Sequence, residues 1–181
     1  MKSRSVAAVA VFTAAIIGSD FALAQFPNVK LLDTMVFLAS FIFGLGTGAA
    51  VATVSETIWS FVSPYGIAGS ITPFLVIGEL VFAVAGWAAS RVWGSRVGIL
   101  SPSSLFIGAT MAICAFLWDL ETNAATALIE FWPQLTLQKL LATEALGALF
   151  MVSHELSDFL FGMILIPLVV IVLPRIHRGV N

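Results

Sequence analysis

Long apolar runs, broken by short stretches of glycine, proline and charge, set the pattern of this chain. A helix needs about 20 largely apolar residues to cross the hydrocarbon core of a bilayer. On that measure the pattern predicts an all-α integral membrane protein. It forms a single membrane domain over 1–181, a six-helix bundle with spans at approximately 5–25, 31–45, 47–63, 73–93, 103–120 and 154–174. The first run follows Lys2 and Arg4 and ends at Ala22-Leu23-Ala24 before Gln25. It reads either as a first span or as a signal peptide that would be cleaved after residue 24. Phe26-Pro27-Asn28-Val29-Lys30 reads as a loop, and the run after it is short, with Asp33 near its start. Gly44-Leu45-Gly46-Thr47-Gly48 reads as a tight turn, because glycine permits the backbone angles such turns need. The third run ends at Ser63-Pro64-Tyr65-Gly66, the fourth is followed by Arg91 and Arg96, and the fifth reaches Trp118.

Residues 121–152 break the pattern with Glu121, Asn123, Glu130, Pro133, Gln134, Gln138, Lys139 and Glu144. This stretch is too polar for a lipid-facing span and is read as an outer loop with an interfacial helix. Basic residues favour the cytoplasmic side. Six spans put Lys2, Arg4, Arg91, Arg96, Arg175 and Arg178 inside, with both termini cytoplasmic and only Lys30 and Lys139 outside. Asp119, Glu121, Asn123, His154, Glu155 and Asp158 then fall at the outer ends of spans five and six, Trp59 and Tyr65 at the outer end of span three, and Glu79 slightly deeper in span four. An ionisable residue inside a span is costly unless it faces a cavity or a partner, so these positions are candidate site residues. Plain interhelical hydrogen bonding is the competing explanation for Glu79 and Glu56, as solvation is for Glu121 and Glu130.

Composition agrees with the pattern. Of 181 residues, 60% are hydrophobic and 10% charged, against about 45–50% and about 25% in soluble domains. That balance excludes a soluble globular domain and a disordered chain. A net charge of −2 offers no basic face to nucleic acid. The single cysteine, Cys114, cannot form an internal disulfide and reads as a small core residue.

Few motifs carry chemistry. No Gly-x4-Gly-Lys-Ser/Thr loop occurs, so the chain does not bind ATP in the P-loop manner. The 44–48 glycines lack the βαβ context of a dinucleotide site. His154-Glu155-x-x-Asp158 resembles the zinc-protease helix with its second histidine replaced, and residues 154 and 158 share a helix face as ligands would. The other histidine, His177, lies in the basic tail. A serine triad would have to pair His154 with Ser153 or Ser157, and no Gly-x-Ser-x-Gly elbow is present. The tryptophans fit either an interfacial aromatic belt or the walls of a small-molecule pocket with a few convergent polar groups. The outer set is acidic, with His154 as its one candidate cation.

Taken in order, these segments resemble the substrate-binding S component of an energy-coupling factor (ECF) type vitamin transporter. The resemblance rests on Ala10-x3-Ala14 in the first span, the short segment after Lys30-Leu31-Leu32-Asp33, and Phe43-Gly44 with Gly48 between spans two and three. It continues with the Tyr65-Gly66 loop and with Gly78-Glu79 and Gly86 in span four. The ends are Trp118-Asp119-Leu120-Glu121-Thr122-Asn123, then Asp158-Phe159 and Phe161-Gly162 with Pro167 and a basic tail. The resemblance implies a non-enzymatic bundle that binds a vitamin-like solute from outside the cell membrane. It implies docking of the first helix, through Ala10, Ala14 and Gly18, on a transmembrane coupling protein. Two partner ATPases would use ATP, and this chain would hold no cofactor and no metal. The substrate-binding set is Trp59, Tyr65, Glu79, Trp118, Asp119, Asn123, His154 and Asp158. Asp158 departs from the asparagine expected there.

A carboxylate-rich, aromatic pocket suits a cationic or neutral heteroaromatic, such as thiamine or a precursor, by charge pairing and stacking. It disfavours folate or biotin, whose carboxylates want a basic partner, and leaves riboflavin, pyridoxine or a corrinoid open. The alternatives are an intramembrane metal-dependent hydrolase using the His154-Glu155-x-x-Asp158 helix and a non-catalytic membrane assembly factor.

Overall fold

The computed structural model describes the backbone of residues 3–178, with side chains except those of Ser95 and 173–178. Lys2 and the side chains of Arg175, His177 and Arg178 therefore lie outside the described residues. The described chain forms six helical rods and no strand. They are α1 (Ser3–Leu23), α2 (Leu32–Phe43), α3 (Leu45–Val62), α4 (Thr72–Val92), α5 (Pro102–Phe131) and a last rod. That rod joins α6 (Leu137–Leu160), a π-helical turn (Phe161–Leu165) and α7 (Ile166–Arg178). Four stretches are long and apolar enough to cross a membrane: Ser3–Leu23, Gly69–Val92, Pro102–Phe131 and Leu137–Val172. The chain thus has the helix lengths and hydropathy of a multi-pass membrane protein.

Two of the six expected spans, 31–45 and 47–63, are not among these four stretches. α2 has 12 residues, about 18 Å at 1.5 Å per residue, well short of a bilayer core. It buries Leu32, Asp33, Thr34, Val36, Phe37, Leu38, Ala39 and Ser40, so it lies inside the bundle. α3 has 18 residues but carries Thr47, Thr53, Ser55, Glu56, Thr57 and Ser60. α1 and α4 pack against both helices, and α3 leaves Leu45, Val54, Ile58, Phe61 and Val62 exposed on its other face.

Small residues let the backbones close on one another. Gly86 of α4 abuts the Phe37 backbone of α2, and Gly48 of α3 abuts Ser40 of α2. Ser40 Oγ donates to the Ala83 carbonyl at 2.5 Å, tying α2 to α4. Thr13 and Ser55 hydroxyls pair at 2.9 Å between α1 and α3. The tight turn expected over 44–48 contracts to one residue. Gly44, at φ 89°, ends α2, and α3 begins at Leu45. That angle is where glycine is required, while Gly46 and Gly48 are helical.

The stretch 121–152 also differs from expectation. α5 continues to Phe131, a short turn follows, and α6 begins at Leu137 under a Thr136 cap that accepts the Lys139 N–H at 3.3 Å. One polar pair ties the two helices together in this stretch. Asn123 Nδ2 donates to Glu144 Oε2 at 3.1 Å across α5 and α6. Leu146 and Leu149 remain 80% and 83% exposed, so one face of α6 is open to lipid or a partner. α5 itself starts with a reciprocal capping box. Ser104 N donates to Ser101 Oγ at 3.3 Å and Ser101 N to Ser104 Oγ at 2.8 Å, with Pro102 at the first turn. Near the π turn, Gly162 meets the Gly108 backbone of α5. This close crossing brings the preceding turns of α6, with His154 and Asp158, against α5.

Candidate functional site

Two connections close one end of the bundle: the segment between α1 and α2, and the segment between α3 and α4. The Tyr65 hydroxyl donates to the Ala24 carbonyl and joins them. Asn28, at φ 59°, stands in the left-handed region that asparagine tolerates better than most residues. Its amide donates to the Phe150 carbonyl at 3.2 Å and lies 3.5 Å from Asp119 Oδ1, tying the first connection to α5 and α6. Beneath these connections is a cavity of about 300 Å³. Trp59, Tyr65 and Trp118 supply aromatic wall, Ser60 and Ser63 hydroxyls, and Lys30 and Glu56 opposite charges.

Each wall residue is held from behind. Trp59 meets Phe21 edge to face at 5.4 Å. Trp118 Nε1 donates to the Leu75 carbonyl at 3.3 Å. Lys30 Nζ lies 4.5 Å from the centre of the Trp118 ring, a cation–π contact. The Lys30 side chain is only 8% exposed. Burial works against its charge, but Asp33, Glu56, Glu79 and Asp20 outweigh that and hold the ammonium above its ordinary pKa.

Behind the cavity floor lies a buried ionisable network. Among the described residues, six carboxylates (Asp20, Asp33, Glu56, Glu79, Asp119 and Asp158) and two bases (Lys30 and His154) are buried. His154 is its hub. Its Nδ1–H donates to Asp119 Oδ2 at 3.0 Å. Its Nε2 lies 3.3 Å from Asp33 Oδ2 and 3.9 Å from Asp158 Oδ2. The Trp118 ring stands edge to face on the imidazole at 5.4 Å, so the network touches the cavity through the tryptophan. Asp20 Oδ1 accepts the Leu31 N–H at 2.8 Å, and Glu56 Oε1 accepts from the Ser60 hydroxyl at 3.4 Å. Both oxygens of Glu79 and both of Asp158 have no hydrogen-bond partner within the described residues.

The sequence-derived set therefore divides. Trp59, Tyr65 and Trp118 line the cavity. Glu79, Asp119, His154 and Asp158 lie in the interior behind it. Asn123 is on the α5–α6 contact, bonded to Glu144 and packed on Gly147. Glu155 is half-buried and, one residue on from His154, faces about 100° away from it around the helix. Cys114 is free and buried, as a small core residue should be. Lys30, Glu56, Asp33 and Asp20 complete the arrangement but were absent from that set. Lys30 in particular read as a solvated loop cation. Its one local signal is the three-residue spacing to Asp33 at the start of α2.

Ala10, Ala14 and Gly18 are exposed on one face of α1. Ala10 and Ala14 border an apolar groove of about 630 Å³ between α1 and α3, with Ala50, Val54 and Ile58 on the other side. No protein-family model matches the chain, and no curated protein or solved structure shows similarity to it, so the functional reading rests on this geometry.

Proposed function

We propose that the chain is a membrane-embedded, small-molecule-binding subunit of an ECF-type importer, taking up a vitamin-like heteroaromatic and delivering it inward with an ATP-driven module. The observation that carries this reading is the cavity of about 300 Å³ under the two connections. It is walled by Trp59, Tyr65 and Trp118 and provided with a few polar groups, which is how small-ligand sites are built. Its size is at the small end for such sites and works against a corrinoid. Lys30 at the floor changes the ligand preference drawn from the carboxylates alone. One cation and one carboxylate face the cavity, so a neutral or zwitterionic heteroaromatic suits it better than a fixed cation such as thiamine. The hydrolase alternative is less well supported. His154 and Asp158 are fully buried rather than open to the cavity, and Glu155 points elsewhere.

The experiment is native mass spectrometry of the protein gently released from its own membranes. A stoichiometric vitamin-sized species is expected. Lipid as the sole bound species would overturn the receptor reading in favour of an assembly factor.

The groove on α1 supports the docking role, since small exposed side chains let a partner helix approach closely. The coupling protein would engage Ala10, Ala14 and Gly18, and two ATPases would supply the energy. Replacing both alanines with tryptophan (Ala10→Trp, Ala14→Trp) is expected to abolish uptake into cells and leave ligand binding unchanged. Undiminished uptake would remove the docking role.

A further inference from the structure

Asp33 of α2 and His154 and Asp158 of α6 meet in the interior, all three 0% exposed. One ligand-capable atom from each lies within 4.8 Å of the others. The imidazole is oriented in the manner of metal-binding histidines, whose second nitrogen is held by a carboxylate. Asp119 Oδ2 accepts the Nδ1–H at 3.0 Å. Nε2 lies 3.3 Å from Asp33 Oδ2, within hydrogen-bond reach, and 3.9 Å from Asp158 Oδ2. The positive charge that this convergence calls for is supplied either by a proton on Nε2 or by a bound cation in its place.

Three further observations bear on that charge. First, tetrahedral ligands with bonds of about 2.1 Å sit about 3.4 Å apart, which falls between the two distances here. Second, Asp158 is 0% exposed, yet neither of its carboxylate oxygens has a hydrogen-bond partner within the described residues. Third, the buried network holds six carboxylates against two bases. Buried charge in that excess has to be neutralised by protons or by a bound cation.

We propose that Asp33, His154 and Asp158 form a buried site for a divalent first-row transition-metal ion such as Zn²⁺. One imidazole and two carboxylates are a donor set that such ions accept and that alkali ions do not require. All three ligand residues are 0% exposed and none lines the cavity, so the role of the ion is structural. Through the Trp118 ring on His154 and Lys30 over Trp118, the ion braces the cavity floor.

The test uses the full chain in detergent, stripped with a chelator and dialysed against Zn²⁺. One tightly bound Zn²⁺ per chain is expected, with a rise in the melting temperature of the unaltered protein. Co²⁺ in its place should give the visible absorption of a four-coordinate nitrogen–oxygen site, a readout that needs no variant. Asp33→Asn, Asp158→Asn and His154→Gln should each lose stoichiometric Zn²⁺. Asp119→Asn, which only orients the imidazole, should weaken binding by about 10–100-fold. His177→Gln and Glu130→Gln should bind as the unaltered chain does. The proposal is overturned if the unaltered protein holds no stoichiometric Zn²⁺ or Co²⁺. It is equally overturned if binding survives both Asp158→Asn and His154→Gln.

Discussion

Replacing His154 with leucine is expected to lower the unfolding free energy by about 3–5 kcal/mol, the usual cost of stranding buried charges by removing their partner. The imidazole donates to Asp119 at 3.0 Å and faces Asp33 at 3.3 Å, and all of this is inside the bundle. Leucine fills comparable space, so lost packing accounts for little of the effect. The size of the loss should therefore depend on the carboxylates left behind. A triple variant that adds Asp33→Asn and Asp119→Asn should recover more than half of it, because neutral amides carry no uncompensated charge. Reversible unfolding in mild detergent measures both. A His154→Leu protein as stable as the parent would contradict the hub described here. A triple variant no better than the single one would assign the loss to packing.

The second large effect belongs to Lys30. Lys30→Met keeps the aliphatic stem over Trp118 and removes only the charge. Asp33, Glu56, Glu79 and Asp20 then lose the cation that holds them together electrostatically. A destabilisation of about 3 kcal/mol is expected. Since Lys30 also lines the cavity, ligand affinity should fall with stability. Lys30→Arg, whose longer head has the cavity to extend into, should retain most of both. Thermal unfolding and ligand titration on the same samples separate the two. Stability unchanged in Lys30→Met would mean that Lys30 is solvated, as its sequence position suggested.

Local pattern was a good guide wherever hydropathy alone decides the outcome. The apolar helices α1 and α4 were legible nearly end to end, and α5 and the last rod in their most apolar parts, because lipid demands a continuous apolar run and internal backbone hydrogen bonding. Hydropathy did not separate 31–45, which holds the 12-residue and largely buried α2, from the longer runs. An apolar segment surrounded by other helices has the same composition as one facing lipid, so the enclosure of α2 depends on which neighbours pack on it. Over 121–152, read as an outer loop with an interfacial helix, α5 runs on to Phe131 and α6 begins at Leu137. Asn123 and Glu144 are 21 residues apart, and only the antiparallel packing of α5 on α6 makes them partners.

For the candidate site, the chain itself indicated residue types and their helix ends. Trp59, Tyr65 and Trp118 could be singled out as aromatic groups at the end of a run, and His154 with Asp158 by their four-residue spacing on one face. The network around them comes from long-range packing. His154 is 121 residues from Asp33 and 35 from Asp119, and no periodicity relates positions so far apart. Lys30 shows the limit most clearly. In the chain it is a polar residue in a polar loop, and nothing local distinguishes a solvated lysine from a buried one. Its burial follows from the docking of the α1–α2 connection over the bundle, where carboxylates from α1, α2, α3 and α4 already converge. Hydropathy and helical period act over a few residues and are written in the chain. Charge compensation acts through space, and only the packed bundle decides which groups meet.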